Sequence, residues 1–132
     1  MNRTQSREQA FIFLFESTFG FNSAEEIIDN ANLAREETMN EFSGKLFNGT
    51  LENQEKIDSY IEKNIKHWSK DRLTRTAISV LRLAIFEMMF LKETPKNVVI
   101  NEAVEIAKKY STKEESSYVN GVLGAIANNL DF

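Results

Sequence analysis

The 132-residue sequence has no cysteine, one histidine, one proline and five glycines. Without cysteine, the chain can form neither a disulfide bond nor a thiolate site. With His67 as the only imidazole, a transition-metal site is not expected, and a surface or packing role suits this histidine better than general-base catalysis. These residues imply no metal and no cofactor.

Few stretches alternate between apolar and polar residues, and few turn residues are present to bound strands. The sequence therefore predicts an all-α protein, in which a glycine-rich phosphate loop following a strand has no place. Carboxylate pairs such as Glu25/Glu26 and Glu114/Glu115 fall at predicted helix starts, where negative charge interacts favourably with the helix dipole. No catalytic constellation emerges, and we do not expect an enzyme.

No apolar run has the character of a targeting or membrane segment. The run Phe11–Phe15 is shorter than the core of a signal peptide and lacks a small-residue cleavage site. The run Ile78–Leu91 is too short for a membrane span and contains Arg82 and Glu87. We therefore expect a cytoplasmic protein without a membrane anchor.

The composition fits one globular domain over residues 1–132. Apolar residues make up 42% of the chain, as in folded proteins, and this length can bury a core without disulfides or metals. The most apolar stretch is Ile78–Leu91, with apolar side chains at 11 of 14 positions. Because a helix that is apolar all round belongs in an interior, we predict a central helix around residues 73–91 with other helices packed against it.

Helix starts are marked by three candidate capping boxes and by the proline. The boxes are Ser6–Gln9, Ser23–Glu26 and Thr112–Glu115, in which a hydroxyl accepts from the third helical amide and the acidic or amide side chain reaches back. Thr94 is predicted to cap a further helix, with Pro95 at its first position.

Glycines and asparagines mark possible interruptions. One long helical region is predicted over residues 38–66, and Asn53 or Asn64 could divide it. Three glycines fall inside predicted helices: Gly44, Gly49 and Gly121. The first two allow either a kink or the close approach of another helix. For the third we expect close packing, since glycine in a helix costs about 1 kcal/mol relative to alanine.

The charges are distributed unevenly along the chain. The net charge is −4, yet residues 1–62 carry 5 basic and 12 acidic side chains, whereas residues 63–113 carry 11 basic and 5 acidic ones. Such asymmetry indicates an interaction face, although two solvated helix faces of different sign also explain it.

Two small groups of residues suit nucleic-acid binding. Arg3 and Arg7 lie four positions apart and share one face if the first helix extends that far. The second group brackets the turn between the last two helices: Lys108, Lys109, Tyr110, Lys113 and Tyr118. Cations with aromatic neighbours suit single-stranded RNA, because lysine meets phosphate and tyrosine stacks on a base. The same residues at a helix end also complement the dipole and pack a ring.

Three segments resemble the NusB family of bacterial transcription antitermination factors. The first is Arg7-Glu8-x-Ala10 leading to Leu14-Phe15, and the second is Leu-Arg-Leu-Ala-Ile-Phe-Glu at residues 81–87. The third pairs Ile-Asn-Glu-Ala-Val-Glu-Ile-Ala-Lys at residues 100–108 with Tyr-Val-Asn-Gly-Val-Leu at residues 118–123. Trp68 and Arg72 are also in place. The segments follow the family's order, and the resemblance spans essentially the whole chain.

The resemblance implies a compact bundle of about seven helices and a function without catalysis. NusB pairs with the ribosomal small-subunit protein NusE, and the pair binds the boxA element of nascent RNA, notably on ribosomal RNA operons. This binding nucleates an antitermination complex on RNA polymerase. We expect the same partners for this chain.

The resemblance also assigns residues to two faces. It places Arg3, Arg7, Tyr110, Glu114 and Tyr118 on the RNA-binding face, to which the chemistry of the last turn adds Lys113. It places Phe15, Arg82 and Phe86 on the face toward NusE.

Two regions depart from the family pattern. The N-terminus of the family is usually richer in arginine, whereas Asn2, Thr4 and Gln5 stand here, and each lost phosphate contact weakens RNA binding and its salt dependence. An acidic residue that helps to meet NusE is common in the family at the position held here by Ala77. The first departure predicts weak RNA binding by this chain alone, and the second concerns the expected NusE interface rather than the fold.

Two other functions are possible for a sequence of this kind. NusB-like folds occur as RNA-binding appendages of ribosomal RNA cytosine methyltransferases, but such an enzyme needs a Rossmann-type domain in the same chain, and this sequence ends at Phe132. Alternatively, exposed phenylalanines could make a structural homodimer. Dimer formation is compatible with antitermination if the dimer dissociates.

Overall fold

The computed structural model describes residues 1–20, 22–34, 39–65 and 73–129, without the side chains of residues 31–34. His67, Trp68 and Arg72 lie outside the described residues. Within these ranges the chain forms seven α-helices and one π-helical segment, which confirms the all-α bundle. In chain order they are α1 Arg3–Ser17, α2 Ala24–Ala34, α3 Glu41–Glu52, α4 Gln54–Asn64, α5 Arg75–Phe86, the π-helical segment Glu87–Leu91, α6 Lys96–Tyr110 and α7 Lys113–Asn129. No helix in this described part is long and apolar enough to cross a membrane.

Helix α5 is the centre of the bundle, as the apolar run predicted. It packs against α1, α3, α4, α6 and α7. Every residue from 77 to 88 is buried except Arg82. A helix with partners on all sides has little surface left for polar residues, which explains why most of its residues are apolar.

The two ends of the central helix are set by local backbone chemistry. The hydroxyl of Thr74 caps α5 by accepting a hydrogen bond from the amide of Ala77 at 3.0 Å. Beyond Phe86 the backbone widens into the π-helical segment, which ends at Lys92 in the left-handed conformation, with φ of 56°. Together the two elements match the predicted central helix to within two residues at its start.

The start of α1 differs from the prediction, and Ser6 is not its N-cap. The side chain of Asn2 accepts from the amide of Gln5 at 2.8 Å, and the side chain of Gln5 accepts from the amide of Asn2 at 3.0 Å. Ser6 lies inside the helix and donates its hydroxyl to the carbonyl of Asn2 at 2.9 Å. Asparagine caps a helix as well as serine does, so the local sequence does not choose between them. The earlier start brings Arg3 onto the same helix as Arg7.

Two predicted capping sites form around α2 and α7. The hydroxyl of Ser23 accepts from the amide of Glu26 at 3.1 Å, and the Glu26 carboxylate accepts from the Ser23 amide at 3.3 Å. At α7 the hydroxyl of Thr112 accepts from the amide of Glu115 at 3.0 Å. The Glu115 carboxylate also accepts from the hydroxyl of Thr74 at 2.6 Å, which ties the start of α7 to the start of α5.

Helix α6 begins one residue later than predicted. Pro95 is the N-cap rather than the first helical residue, because its ψ of 142° is extended. Thr94 therefore does not cap the helix. Its hydroxyl instead lies 3.5 Å from a guanidinium nitrogen of Arg7.

Asparagine and glycine take different roles in the remaining helices. Asn53 separates α3 from α4, which is one of the two predicted interruptions. A Cβ atom on Gly49 would overlap the ring of Phe86, so this glycine marks a close approach of α3 to α5. The expectation of close packing at Gly121 is wrong, since a Cβ atom there would have nothing within 4 Å.

Candidate nucleic-acid and protein interfaces

Arg3 lies at the first position of α1 with an exposed guanidinium. Its Cζ atom is 3.7 Å from the centroid of the Phe42 ring, and a terminal nitrogen is 3.7 Å from the carboxylate of Glu93. The cation–π contact orients the guanidinium without removing it from water. Arg3 can therefore meet a phosphate group.

Arg7 lies one turn further along α1, but its side chain points into the fold and is 6% exposed. Its Nε and one terminal nitrogen donate to the two carboxylate oxygens of Glu87 at 2.8 and 2.7 Å. The other terminal nitrogen is 3.6 Å from Glu102. The hydrogen bonds that Arg7 donates to Glu87 raise the pKa of Arg7 above its ordinary value, so the guanidinium stays charged and its charge is balanced inside the protein.

This pair accounts for Glu87, the acidic residue inside the most apolar stretch of the sequence. The carboxylate is 2% exposed and begins the π-helical segment. A buried carboxylate needs a cation with matching geometry, and Arg7 supplies one from α1. Arg3 and Arg7 thus share a helix face without forming a common surface.

Tyr110 at the end of α6 is 40% exposed and is held from two sides. Its ring packs on Phe11 of α1, with 5.0 Å between ring centroids. Its hydroxyl donates to the carboxylate of Glu8 at 2.5 Å, and the ammonium of Lys109 donates to the same oxygen at 2.5 Å. These two hydrogen bonds hold the pKa of Glu8 below its ordinary value, because they favour the ionised carboxylate.

The other predicted RNA-binding residues lie in the first two turns of α7. Lys113 and Glu114 are exposed, whereas Tyr118 is half-buried. Burial raises the pKa of the Tyr118 hydroxyl. The α6–α7 turn therefore presents a lysine, a carboxylate and two tyrosines within nine residues.

An open groove of about 350 Å³ runs between the start of α1 and the second half of α6. Its lining residues are Thr4, Glu8, Glu102, Glu105, Ile106, Lys108 and Lys109. The groove contains two ion pairs: the ammonium of Lys108 lies 3.3 Å from the carboxylate of Glu105, and the ammonium of Lys109 pairs with the carboxylate of Glu8. Two of its lining residues, Thr4 and Lys109, are the sequence neighbours of Arg3 and Tyr110.

Phe15 lies half-buried near the other end of α1, where aromatic rings form an exposed corner. Its ring meets Phe19 edge to face, with 5.2 Å between centroids. Phe19 is 43% exposed, and the guanidinium carbon of Arg75 lies 4.7 Å from its ring centroid. Arg75 also donates to the carbonyl of Thr18 at 2.8 Å, so the start of α5 is fixed to the end of α1.

Arg82 and Phe86 lie on one face of α5, as their spacing predicted, and this face packs against α3 and α4. Arg82 forms two hydrogen bonds of 2.9 Å with the carboxylate of Asp58. Phe86 is buried against Gly49 and stacks on the more exposed Phe90, with 5.5 Å between centroids. Arg82 is half-buried and Phe86 is buried.

A second open groove, of about 400 Å³, brings Arg82 to the aromatic corner. Its lining residues are Ser17, Thr18, Leu51, Gln54, Leu73, Arg75, Ile78 and Arg82. Arg82 and the end of α1 thus border one depression, next to Phe15. Ala77, at the position where the family often carries an acid, is fully buried.

Sequence reasoning missed Glu8, Phe19 and Arg75. In the sequence Glu8 is only one member of the N-terminal family motif, and nothing local connects it with a tyrosine 102 positions away. The sequence gives only a weak indication that Phe19 and Arg75 are exposed. Phe19 directly precedes Gly20, and Arg75 lies at the start of a helix; residues at helix ends are often exposed. Their contact depends on how α1 and α5 pack.

Comparison with known proteins gives a consistent result. The sequence model of the NusB family matches residues 4–128. The transcription antitermination protein NusB of Clostridium novyi (strain NT) is 38% identical over 128 residues, covering 94% of this chain and 96% of the relative.

Solved structures extend this likeness to the fold. The structure of T. maritima NusB superposes with a TM-score of 0.85 at 34% identity, covering 97% of this chain and 92% of that one. A structure of the antitermination factors NusB and NusE in complex with dsRNA superposes with a TM-score of 0.80 at 31% identity, covering 98% and 100%.

Proposed function

This chain belongs to the NusB family, and from that premise we propose that it is a transcription antitermination factor that pairs with NusE and binds boxA RNA of nascent transcripts, especially those of ribosomal RNA operons. The observation that carries the proposal is the whole-length likeness to a NusB whose structure was determined with NusE and RNA. The protein acts by binding, as part of an assembly on RNA polymerase in the cytoplasm, and performs no catalysis.

We propose that the RNA-binding face is formed by the start of α1 and the α6–α7 turn. Arg3 and Lys113 meet phosphates, and Tyr110 and Tyr118 offer rings for stacking, each stacked base contributing about 1–3 kcal/mol. Glu114 accepts hydrogen bonds from the edges of bases. Arg7 contributes indirectly: its buried pair with Glu87 holds α1 in the orientation that presents Arg3.

We propose that NusE binds at the other end of α1. Phe15, Phe19 and Arg75 provide an aromatic and cationic corner of the kind that dominates protein interfaces. Arg82, fixed by Asp58, forms a wall of the adjoining groove, and Phe86 supports the exposed ring of Phe90. Since Arg3 and Phe15 are twelve positions apart, the two faces lie about 18 Å apart along the helix axis.

The test is a mobility-shift titration of boxA RNA with this protein, with NusE and with both. The expected result is weak binding by either protein alone and a clear gain when both are present. A scrambled RNA of equal length and composition serves as the control. Equal affinity for boxA RNA with and without NusE would contradict the proposal.

A homodimer is compatible with this function only if the dimer releases the binding faces. Sedimentation at several protein concentrations, with and without NusE, measures this directly. We expect NusE to displace any self-association that involves the corner of Phe15, Phe19 and Arg75. A dimer that persists with NusE bound would mean that self-association uses another surface.

A further inference from the structure

Glu8 joins the first helix of the chain to the end of the sixth. Its carboxylate accepts hydrogen bonds from the hydroxyl of Tyr110 and the ammonium of Lys109, both at 2.5 Å. The two donors are on adjacent residues but differ in kind. The ring of Tyr110 can stack on a base, and the ammonium of Lys109 can bind a phosphate group. One carboxylate therefore controls both kinds of RNA contact.

The first consequence concerns the ring of Tyr110. It packs on Phe11 at 5.0 Å between centroids with an interplanar angle of 41°, and its hydroxyl is tied to Glu8. Two attachments fix the position of the ring before any ligand arrives, while 40% of the residue stays exposed. A ring that is already ordered loses less conformational entropy when a base stacks on it.

The second consequence concerns the charge of Lys109. Its side chain is 63% exposed, but its ammonium is paired with the carboxylate of Glu8, and the hydrogen bonds from Lys109 and Tyr110 lower the pKa of that carboxyl below its ordinary value. A lysine that is paired in this way gains less from a phosphate than a free lysine does. Attraction to phosphate is independent of sequence, so the pairing restrains non-specific binding.

The neighbouring lysine provides a natural comparison. Lys108 pairs with Glu105 at 3.3 Å, on the same helix and along the same groove, and both side chains are exposed. Glu105 thus balances a lysine as Glu8 does. Within the described residues, Glu105 accepts a hydrogen bond from Lys108 and, unlike Glu8, none from a tyrosine.

On the basis of the proposed RNA binding, we propose that Glu8 is a positioning residue that sets the sequence specificity of the RNA-binding face. It fixes Tyr110 for stacking on a base and withholds the charge of Lys109 from phosphate. Removing its charge should therefore weaken discrimination between RNAs. The sequence-independent attraction to phosphate should rise, while the contribution of stacking on Tyr110 should fall.

The experiment compares Glu8→Gln with Glu105→Gln in the complete protein with NusE present. Affinities for boxA RNA and for a scrambled RNA are measured by fluorescence anisotropy over a series of salt concentrations. Both variants free one lysine, and each should steepen the dependence of log Kd on log salt concentration by about 0.7 for single-stranded RNA. Only Glu8→Gln should lower the ratio of specific to non-specific affinity, by roughly fivefold if one stacked base loses its fixed platform.

Tyr110→Phe separates positioning from charge. It keeps the ring and its packing on Phe11 but removes the hydroxyl that donates to Glu8. We expect it to lower the specificity ratio by a similar factor without changing the salt dependence. The double variant Glu8→Gln/Tyr110→Phe should lose about as much specificity as either single variant and not the sum of the two, because Glu8→Gln weakens, and Tyr110→Phe removes, the same charge-assisted hydrogen bond.

The outcomes distinguish this inference from the proposed function. If the wild-type protein with NusE does not prefer boxA RNA, both fail. If it does, and Glu8→Gln changes the specificity ratio no more than Glu105→Gln, the role of Glu8 alone is overturned. Should Glu8→Gln prove unfolded by circular dichroism, Tyr110→Phe decides, and an unchanged ratio in that variant overturns the inference.

Discussion

At the residue scale, Arg3 and Arg7 show how one helix face can hold two arginines in different environments. Both lie on α1 four positions apart. Arg3 stays exposed over the ring of Phe42, whereas Arg7 turns inward to Glu87. Burial, and not the type of residue, separates a candidate phosphate ligand from a structural ion pair.

Arg7→Ala is expected to destabilise the protein strongly. It would leave the carboxylate of Glu87 buried without its cation, and breaking a buried pair in this way typically costs about 3–5 kcal/mol. Urea unfolding followed by circular dichroism measures the change. Arg3→Ala is the matched control and should alter the free energy of unfolding by less than about 1 kcal/mol. Equal stability of the two variants would contradict the stabilising role of the buried Arg7–Glu87 pair.

The pKa of Glu8 predicts a pH-dependent contribution to stability. Because its pKa in the folded protein lies below the ordinary value of 4.5, the folded state favours the ionised carboxylate. The stabilisation is complete at neutral pH, and it is lost as the pH falls from 4.5 through the lowered pKa. The wild-type protein should therefore exceed Glu8→Gln in free energy of unfolding at neutral pH, and the difference should shrink in acid.

Glu105→Gln provides the comparison for this pH series. Its ion pair with Lys108 is exposed, and exposed pairs contribute little to stability. Urea titrations of the three proteins at several pH values test the expectation. If the difference in free energy of unfolding between wild type and Glu8→Gln did not change with pH, the charge of the Glu8 carboxylate would not be the cause of that difference.

At the scale of helices, the close approach of α3 to α5 depends on Gly49. The ring of Phe86 occupies the space where a Cβ atom would lie, so the two helices come nearer than larger residues would permit. This contact also holds Phe86 in its stack with Phe90. The position of α3 therefore influences which aromatic ring reaches the surface.

Gly49→Ala and Gly121→Ala should have opposite effects on stability. At Gly49 the added methyl group collides with Phe86, and overpacking of this kind costs about 1–3 kcal/mol. At Gly121 the methyl group meets nothing within 4 Å, and alanine in an exposed helix stabilises by up to about 1 kcal/mol over glycine. Thermal unfolding of both variants shows whether each substitution raises or lowers the melting temperature. A destabilised Gly121→Ala protein would mean that α7 has a packing partner at this position.

At the scale of the whole molecule, α1 carries one candidate face at each end. Arg3 and the α6–α7 turn lie at its start, and Phe15 with Phe19 lies at its end. Both faces rest on the same central helix, since α5 packs against α1, α6 and α7. A protein built in this way can hold a protein and an RNA at once.

Substitutions at the two faces should therefore act separately. Lys113→Ala should weaken RNA binding and reduce the salt dependence of log Kd by about 0.7, the loss of one phosphate contact on single-stranded RNA. Phe19→Ala should weaken NusE binding by about 1 kcal/mol or more. Isothermal titration with NusE and anisotropy with RNA measure the two effects. If each variant weakened both interactions alike, the division into two faces would be wrong.

The sequence by itself determined the helices and the core. The apolar stretch around α5 and the capping box at Ser23–Glu26 are local signals, because they depend on residues within one or two turns. Between residues 38 and 66 the local signals allowed a break at Asn53 or at Asn64, and only the structure placed it at Asn53. The family resemblance added the bundle and its expected partners. Where local signals were equivalent, as with Asn2 and Ser6 at the start of α1, the prediction of the boundary failed.

Only the tertiary structure decided which side chains face each other. The pair of Arg7 with Glu87, the bond of Tyr110 to Glu8 and the approach of Gly49 to Phe86 join residues that are 37 to 102 positions apart. Helical periodicity assigns a residue to a face of its own helix but does not say which helix covers that face. Burial therefore placed Arg7 inside the protein and left Arg3 at its surface, although the sequence treats the two alike.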